Sequence, residues 1–250
     1  MLSEINICII VPCYNEENNF HIEEYEKIIS EYSDVLICFV DDGSTDQTKN
    51  IINKFLINKS EKIILLSHDG NKGKAEAVRT GINYCNTEYN HQYIAFLDAD
   101  LSTSIDECLR LREYLQHEVE FCFSSRIQCF GSKIQIKKHR YFIGRLLRPI
   151  ISRVLNINIY DTQCGCKLFT KELSIKLFKD QFISKWLFDI ELFARAIKIY
   201  GKYNIVNKMC EVPVKEWIDS NNTNVKPSYF FRLWYDLYKI RKKYLDNKPS

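Results

Sequence analysis

Two aspartates that follow a short apolar segment give the sequence its clearest chemical signal. Residues 93–97 read YIAFL and run directly into Asp98, Ala99 and Asp100. Because successive side chains of a strand alternate between its faces, carboxylates two residues apart point the same way. Two like charges side by side are costly unless a cation lies next to them. Oxygen ligands in this small number suit Mg²⁺ or Mn²⁺, which also bind phosphate oxygens.

The same aspartates have a simpler explanation as helix-capping residues. Asp is favoured at helix N-termini, and Ser104 followed by Glu107 has the spacing of a capping box. The Asp-x-Asp pair alone leaves both explanations open, so the rest of the chain has to decide between them.

The composition indicates a globular protein without a membrane-spanning helix. Of 250 residues, 46% are hydrophobic and 27% are charged, which does not favour disorder. No window reaches the roughly 20 apolar residues of a membrane-spanning helix, and the first apolar run, 5–11, is too short for a secretory signal. Ten cysteines without metal-type spacing indicate reduced thiols in the cytosol.

The net charge of +3 conceals a strong asymmetry. Residues 121–160 contain eight Lys or Arg and no Asp or Glu, and residues 226–250 contain seven basic and two acidic residues. The rest of the chain is therefore acidic. Two basic segments on an acidic body indicate an anionic partner that binds at one place.

The first half of the chain alternates between predicted strands and helices. Apolar runs predict strands at 5–11, 35–40, 62–67, 93–97 and 119–124, with helices near 22–31, 47–56, 74–84 and 105–117. This pattern predicts an α/β fold with a mainly parallel sheet covered by helices on both faces.

Polar segments follow four of these strands, at 11–17, 40–46, 67–74 and 98–100. Ligands bind at the carboxyl ends of strands in such sheets, so these segments predict one pocket. Each also has a structural explanation: Asp42 and Gly43 suit a turn, and Asp46 suits a helix N-cap. Lys74 opens a helix and could approach a diphosphate through its charge, or simply begin the helix.

Taken together, VPCYNEE (11–17), VDDGSTD (40–46), the 71–74 loop and FLDADL (96–101) resemble the inverting family-two glycosyltransferases with the GT-A fold, across about the first 125 residues. The resemblance implies a UDP-sugar or similar nucleotide-sugar donor and a bound Mg²⁺ or Mn²⁺. In the implied donor site, Pro12, Tyr14 and Glu16 hold base and ribose, Val40 and Asp42 contact the nucleobase, Lys74 approaches the diphosphate, and Asp98, Ala99 and Asp100 hold the metal and donor.

Two later segments have the apolar spacing of amphipathic helices with basic residues on other faces, at 140–157 and 226–245. Either helix could lie in a membrane interface, where aromatic and basic side chains are favoured, or pack on the protein core. We expect C-terminal amphipathic helices and peripheral contact with the cytoplasmic face of a membrane.

The segments 159–172, 185–196 and 212–225 extend the resemblance to dolichyl-phosphate β-glucosyltransferases and bacterial polyprenyl-phosphate relatives. This implies that Arg126 and Arg140 bind the lipid phosphate, and that Asp161, Gln163 and Lys167 shape the sugar pocket. The chain departs from the eukaryotic pattern at 222–224, where Asn-Thr-Asn replaces Gly-Ser-Lys.

The leading hypothesis is metal-dependent, inverting transfer of glucose from UDP-glucose to a polyprenyl or dolichyl phosphate. A lipid phosphate is ionised near neutral pH and needs no general base, whereas a glycan hydroxyl would need one, for which Asp189 and Glu191 are candidates. A basic lipid- or nucleic-acid-binding module is the alternative from another class, although no nucleic-acid motif accompanies the basic segments. We expect one domain over 1–225, with a donor half (1–125), an acceptor half (126–225) and a basic aromatic helix at 226–250.

Overall fold

The structure is a computed structural model that describes residues 5–59, 61–185, 187–218 and 229–246, with the backbone alone for 58, 59, 138–143 and 229–231. The strands within this part of the chain are β1 (Ile7–Cys13), β2 (Val35–Asp41), β3 (Ile63–Ser67), β4 (Tyr93–Leu97), β5 (Phe121–Ser125), β6 (Lys133–Gln135), β7 (Cys166–Thr170), β8 (Met209–Pro213) and β9 (Glu216–Ile218). The helices are α1 (Ile22–Glu31), α2 (Thr48–Lys59), α3 (Lys74–Glu88), α4 (Ile105–Arg110), α5 (Lys138–Leu155), α6 (Lys171–Phe178), α7 (Phe188–Tyr200), α8 (Ile205–Lys208) and α9 (Tyr229–Tyr244).

Seven strands form the main sheet in the order β3-β2-β1-β4-β7-β5-β8, and β6 pairs with β9 in a small parallel sheet. The four strands of the first half that lie together are parallel, as predicted. The sequence did not predict β7, which lies antiparallel between β4 and β5. Consequently the segment before β7 arrives at the same edge of the sheet where β4 ends.

One predicted helix is shorter than expected. The pattern predicts a helix over 105–117, but α4 ends at Arg110 and continues only as one 3₁₀ segment, Leu111–Tyr114. Helical geometry ends at Leu115, whose φ of −81° and ψ of 64° are not helical, and His117 then adopts a left-handed conformation with φ 56°.

Hydrophobic residues cover both faces of the sheet. Residues 8 and 10 of β1 face a cluster with α3, α6 and α7, whereas residues 7, 9 and 11 face a second cluster with α1, α2 and α4. This alternation is what a two-sided buried sheet requires. Lys167 is an exception in β7: its side chain faces the first cluster and is fully buried.

The apolar residues of α5 and α9 that the structure describes pack at least partly on the protein itself. Ile151 and Leu155 of α5 are buried, and so are Leu233, Leu237 and Ile240 of α9, whose neighbour is α7. Packing on the protein core therefore accounts for the buried apolar residues of both helices. Among the described residues, no helix has the length and apolarity needed to cross a bilayer.

A buried ion pair fixes the segment that joins α6 to α7. Arg195 donates to the carbonyls of Leu177 (2.5 Å), Asp180 (2.9 Å) and Gln181 (2.8 Å). Its partner Glu191, with no exposed surface, accepts from Arg195 at 2.8 Å. Glu191 also accepts from the Ile183 amide at 2.7 Å and from the hydroxyl of Tyr244, the last residue of α9, at 2.8 Å. One carboxylate thus joins α7, the α6–α7 segment and the C-terminal helix.

Replacing Arg195 should destabilise the protein strongly. We expect Arg195→Met to lower the free energy of unfolding by about 3–5 kcal/mol, because Glu191 would stay buried without its cation. Tyr244→Phe, which removes one hydrogen bond from the same carboxylate, should cost only about 1 kcal/mol. Urea unfolding of the three proteins measures both values, and equal losses would contradict the assigned roles.

Candidate active site

The carboxyl ends of four adjacent parallel strands form one rim of the sheet. Since the strand order is β3-β2-β1-β4, the segments that follow these strands lie side by side. The four polar segments noted in the sequence leave the sheet here, which is where a ligand binds in an open parallel sheet.

The segment after β1 is tied to the one after β2. The Asn15 amide donates to Ser44 Oγ at 3.0 Å, and the Glu16 amide donates to Thr48 Oγ1 at 2.7 Å. Asn15 has φ 56°, a conformation that Asn tolerates, and its side-chain oxygen accepts from the Thr45 amide at 2.9 Å. These bonds make the two segments one rigid wall.

Among the residues predicted to hold the base and ribose, Pro12 is partly buried, and Tyr14 is exposed at the end of β1. The carboxyl of Glu16 faces the aspartates that follow β4. Burial raises the pKa of Glu16, and the charges of Asp100 and Asp98 raise it further, against the bond from Asn19. The segments after β1 and β4 therefore meet, as the proposed pocket requires.

The structure places Val40 and Asp42 beneath the rim. Val40 is fully buried in β2, and Asp42 is 2% exposed. The Asp42 carboxylate accepts from His68 Nδ1 (2.7 Å), from the Lys72 amide (2.9 Å) and from the Gly73 amide (2.7 Å). Asp42 thus holds the loop before α3 in shape. Contact of its side chain with a nucleobase stays a prediction, and its part in the loop was not anticipated.

Gly43 allows the segment after β2 to lie close to the backbone of Gly70, in the loop before α3. Its φ is +73°, and a Cβ there would lie 2.6 Å from backbone atoms of Gly70. Only glycine fits both constraints, because other residues would be strained and would clash.

Asp98 and Asp100 lie at the end of β4, as predicted, and the N-cap explanation applies to another residue. Ser104 caps α4 by accepting from the Glu107 amide at 3.2 Å. Asp100 accepts from the Ser102 amide at 3.0 Å, and Ala99 between the two aspartates is buried. The carboxylates of Asp98 and Asp100 therefore do not cap α4.

Asp98 forms an ion pair with Lys74, the first residue of α3, and each side chain is about one-third exposed. Burial raises the pKa of Asp98, and the charge of Asp100 adds to this, so the net shift is upward although Lys74 opposes it. Burial lowers the pKa of Lys74, but Asp98 and Asp189 more than offset this, so its net shift is upward. Negative charge thus accumulates at this point of the rim and favours cations.

The aspartate pair fits a divalent ion of the Mg²⁺ or Mn²⁺ type. Within the described residues, no group of three or more His, Cys, Asp or Glu side chains is arranged to hold a metal. Two carboxylates with room for phosphate oxygens are what these hard ions accept, whereas Zn²⁺ sites usually need three or four protein ligands.

The Asp98 carboxylate occupies space that is free because Gly165 has no side chain. A Cβ on Gly165 would lie 2.2 Å from Asp98 Oδ2 and 2.6 Å from Cγ, and the Asp98 amide donates to the Gly165 carbonyl at 3.2 Å. The antiparallel strand β7, which begins at Cys166, brings this glycine to the end of β4. Its importance could not be read from the sequence because it depends on that unpredicted strand.

Arg126 lies at the end of β5 and forms a bidentate pair with Asp161. Its Nε donates to Asp161 Oδ2 at 2.6 Å and its Nη2 to Oδ1 at 2.8 Å. The guanidinium also lies 5.1 Å from the ring centroid of Trp217. Burial lowers the pKa of Arg126, but the charge of Asp161 outweighs it, and Asp98 also contributes, so the net shift is upward. Because β7 pairs with both β4 and β5 and begins where they end, Arg126 lies at the same edge of the sheet as the aspartate pair.

Asp161 orients Arg126 and organises the loop around it. It accepts from the amides of Arg126 (3.1 Å) and Gln163 (3.1 Å). Its own amide donates at 2.7 Å to Glu211, which also binds Ser125 Oγ at 2.8 Å. The sequence did not single out Glu211 or Trp217. The Arg140 side chain lies outside the described residues, so its predicted role is not addressed by the structure.

Lys167 and Asp189 form a buried pair below the rim. Lys167 Nζ donates to Asp189 Oδ1 at 2.6 Å and to the Cys164 carbonyl at 2.8 Å, with no exposed surface. In this structure Lys167 supports the pocket from beneath and does not line it. Asp189, 6% exposed, is neutralised by this lysine.

Substitution of Gly165 should impair metal binding without unfolding the protein. We expect Gly165→Ala to weaken Mn²⁺ binding about 10-fold or more, because a Cβ would displace the Asp98 carboxylate. Gly144→Ala is the control, since no described residue outside the adjoining turns of α5 lies within 4 Å of a Cβ there. Mn²⁺ titration by electron paramagnetic resonance gives both affinities. Equal affinities of the two variants would show that Gly165 does not position Asp98.

Asp161 should contribute stability that depends on pH. Burial raises the pKa of Asp161, but Arg126 lowers it more, so its net shift is downward. Its stabilisation is therefore present above the unfolded-state value of about 3.9 and is lost as the pH falls through the folded value. We expect Asp161→Asn to destabilise the protein by about 2–4 kcal/mol at neutral pH, and the difference from wild type to shrink below about pH 4.

Urea unfolding across this pH range measures the difference, with Asp106→Asn, on the exposed side of α4, as the control. A difference that grows on acidification would contradict the assigned pair.

Comparison with known proteins extends these observations. The model of the family described as Glycosyl transferase family 2 matches residues 8–178. The chain is 31% identical to a dolichyl-phosphate beta-glucosyltransferase of Trichomonas vaginalis over 95% of this chain and 71% of that protein. It is 30% identical to one of Dictyostelium discoideum over 98% and 76%, and 26% identical to the human protein of this name over 96% and 76%.

Solved structures share the fold at lower identity. Glucosyl-3-phosphoglycerate synthase from Mycobacterium tuberculosis, in complex with Mn²⁺, UDP and phosphoglyceric acid, superposes with a TM-score of 0.68 at 16% identity, covering 98% of this chain and 80% of that chain. A mannosyltransferase from Pyrobaculum calidifontis, in complex with GDP-Man and Mn²⁺, gives 0.63 at 20% identity, covering 99% and 66%. The fold is thus of the GT-A type, and the chain belongs to glycosyl transferase family 2.

Proposed function

We propose that this glycosyltransferase transfers glucose from UDP-glucose to dolichyl phosphate or a related polyprenyl phosphate, with inversion and with a bound divalent cation. The observation that carries the proposal is that Arg126, a candidate phosphate ligand, follows β5 at the same edge of the sheet as the Asp98–Lys74 pair, because β7 pairs with both β4 and β5 and begins where they end. Relatives over nearly the whole chain are named dolichyl-phosphate beta-glucosyltransferases. Solved structures of the same fold carry Mn²⁺ with UDP or GDP-Man, which supports the donor class and the metal.

The proposed donor site comprises the rim from β3 to β4. Tyr14 and Glu16 would contact the nucleoside, and Asp98 with Asp100 would hold Mg²⁺ or Mn²⁺. When bound, the cation neutralises charge that develops on the leaving diphosphate. Lys74 lies beside Asp98 and would bind the same diphosphate, so a ligand phosphate would meet a cation already placed at the start of α3.

The proposed acceptor site begins at Arg126. Its Nε and Nη2 donate to Asp161, and no partner of Nη1 lies among the described residues. A guanidinium held by a carboxylate on one edge is well oriented to bind a phosphate oxygen on another. We propose that Arg126, together with Arg140, directs a lipid phosphate towards the anomeric carbon. Asp161, Gln163 and Lys167 would shape the surroundings, the last from beneath.

The carboxylates considered as general bases are both engaged. Asp189 is paired with Lys167, and Glu191 binds Arg195, Tyr244 and the Ile183 amide. Both carboxylates therefore already have partners inside the protein, and neither is placed by these contacts against an acceptor hydroxyl. A phosphate acceptor, already ionised near neutral pH, avoids this requirement. Rate enhancement would then come mainly from positioning and charge stabilisation.

Membrane contact is part of the proposal and is supported by the outer face of α9. Trp234, Tyr235 and Tyr238 are 53%, 57% and 59% exposed, although the opposite side of the helix is buried. Lys239 lies 4.3 Å from the Tyr235 ring, and the helix ends with a basic turn. Exposed aromatic rings beside basic groups favour the headgroup region of an anionic membrane. We propose peripheral attachment at the cytoplasmic face, with residues 126–225 forming the acceptor half next to the donor half, 1–125.

The activity is tested with radiolabelled UDP-glucose, dolichyl phosphate and Mn²⁺. We expect label to enter the organic phase, and EDTA or Asp100→Asn to reduce the rate about 100-fold or more, because the diphosphate would lose its counter-ion. Asp106→Asn should keep the rate. If wild-type protein yields no organic-soluble glucose, the proposed reaction is wrong. Selective loss in Asp189→Asn with retention in Arg140→Ala would instead favour a hydroxyl acceptor.

Membrane attachment is tested by flotation with vesicles containing phosphatidylserine. We expect Trp234→Ala combined with Tyr238→Ala to reduce the bound fraction about 10-fold, because two rings leave the interface. Tyr203→Ala serves as the control, since Tyr203 is 86% exposed on the α7–α8 turn. Equal flotation of both variants would argue against attachment through α9.

A further inference from the structure

Lys185, in the segment between α6 and α7, packs against Gly73, the residue directly before α3. A Cβ built on Gly73 would lie 3.0 Å from Lys185 Cδ, 3.2 Å from Cβ and 3.3 Å from Cγ. Gly73 has φ +96° and has no side chain, so the stem of Lys185 occupies the space left free there. The aliphatic part of the lysine therefore lies against Gly73, at the start of α3.

The backbone that carries Lys185 is held at both ends. Before it, Arg195 binds the carbonyls of Asp180 and Gln181, and Glu191 binds the Ile183 amide. After it, the Leu187 amide donates to Ser184 Oγ at 3.0 Å. Lys185 thus belongs to a fixed segment of the acceptor half that reaches over to the donor half.

Among the residues that the structure describes, the ammonium of Lys185 has no carboxylate partner. Within the described residues, no ion pair or hydrogen bond involves Lys185, whose side chain is exposed, whereas Lys74 and Lys167 are both paired. Gly73, against which Lys185 packs, directly precedes Lys74, and Lys74 pairs with Asp98. Lys185 therefore adds a positive charge to a segment that packs against the residue before Lys74, and no carboxylate among the described residues pairs with it.

We propose that Lys185 binds the diphosphate of the nucleotide-sugar donor, as a second cation beside Lys74, and so links donor binding to the acceptor half. The inference rests on the proposed function, because it requires a nucleoside diphosphate at the rim. The leaving group gains negative charge as the bond to the sugar breaks, and Lys185 stabilises that charge. Packing against Gly73 lowers the entropic cost of holding a long side chain in place.

The test separates the charge of Lys185 from its packing. K185M keeps an aliphatic stem against Gly73 and removes the ammonium, whereas K185R keeps a positive charge. K176M, in α6 at an exposed position, is the matched control. Isothermal titration with UDP, UMP and uridine in the presence of Mn²⁺ gives the affinities, and thermal unfolding checks that each variant is folded.

We expect K185M to weaken UDP binding about 5–30-fold, UMP binding less, and uridine binding not at all, because only the diphosphate reaches the ammonium. K185R should bind UDP within about 3-fold of wild type, and K176M should bind like wild type. Equal UDP affinity of K185M and K176M overturns the inference while the proposed function stands, and so does an equal loss for UDP and uridine. If the wild-type protein binds no UDP, both fall together.

Discussion

Concentrated negative charge at the end of β4 is the constraint on which the site depends. Asp98 and Asp100 follow a fully apolar strand, and Glu16 comes towards them from β1. Such an arrangement raises the free energy of the protein unless positive charge lies nearby, because like charges repel and burial removes solvent. The surrounding structure supplies Lys74 and leaves space beside Asp98 through Gly165. In the proposed function, a divalent ion and a diphosphate would complete the same balance.

Four ion pairs of this protein differ in solvent exposure, and their roles differ accordingly. Lys167–Asp189 and Arg195–Glu191 are almost completely buried, and breaking such pairs costs about 3–5 kcal/mol, so they hold elements together. Lys74–Asp98 is open to solvent, and Arg126–Asp161 is partly so. A pair that is about one-third exposed, such as Lys74–Asp98, contributes less to stability and can exchange partners with a ligand.

The basic amphipathic helices show why periodicity alone could not assign their surroundings. An apolar stripe at helical spacing fits a protein core and a membrane interface equally well, because both are apolar. In α9, tertiary packing places Leu233, Leu237 and Ile240 on α7. What remains outward is aromatic and basic, a composition that suits the polar boundary of a membrane better than its interior. One side of α9 therefore packs on the protein, and the proposed membrane contact would use the other side.

The amino-acid sequence by itself determined the alternation of strands and helices in the first half, the rim with its four polar segments, the Asp98–Asp100 pair and the family. These features are local: apolar runs, turn residues and motif order within a few residues of one another. Tertiary structure alone decided that β7 is antiparallel, that Gly165 lies against Asp98 and that Asp161 grips Arg126 thirty-five residues away. It also buried Lys167 and Asp42, which the sequence presents as ordinary polar candidates. Whether a charged side chain faces a ligand or a buried partner depends on contacts between distant segments, and no local pattern encodes those contacts.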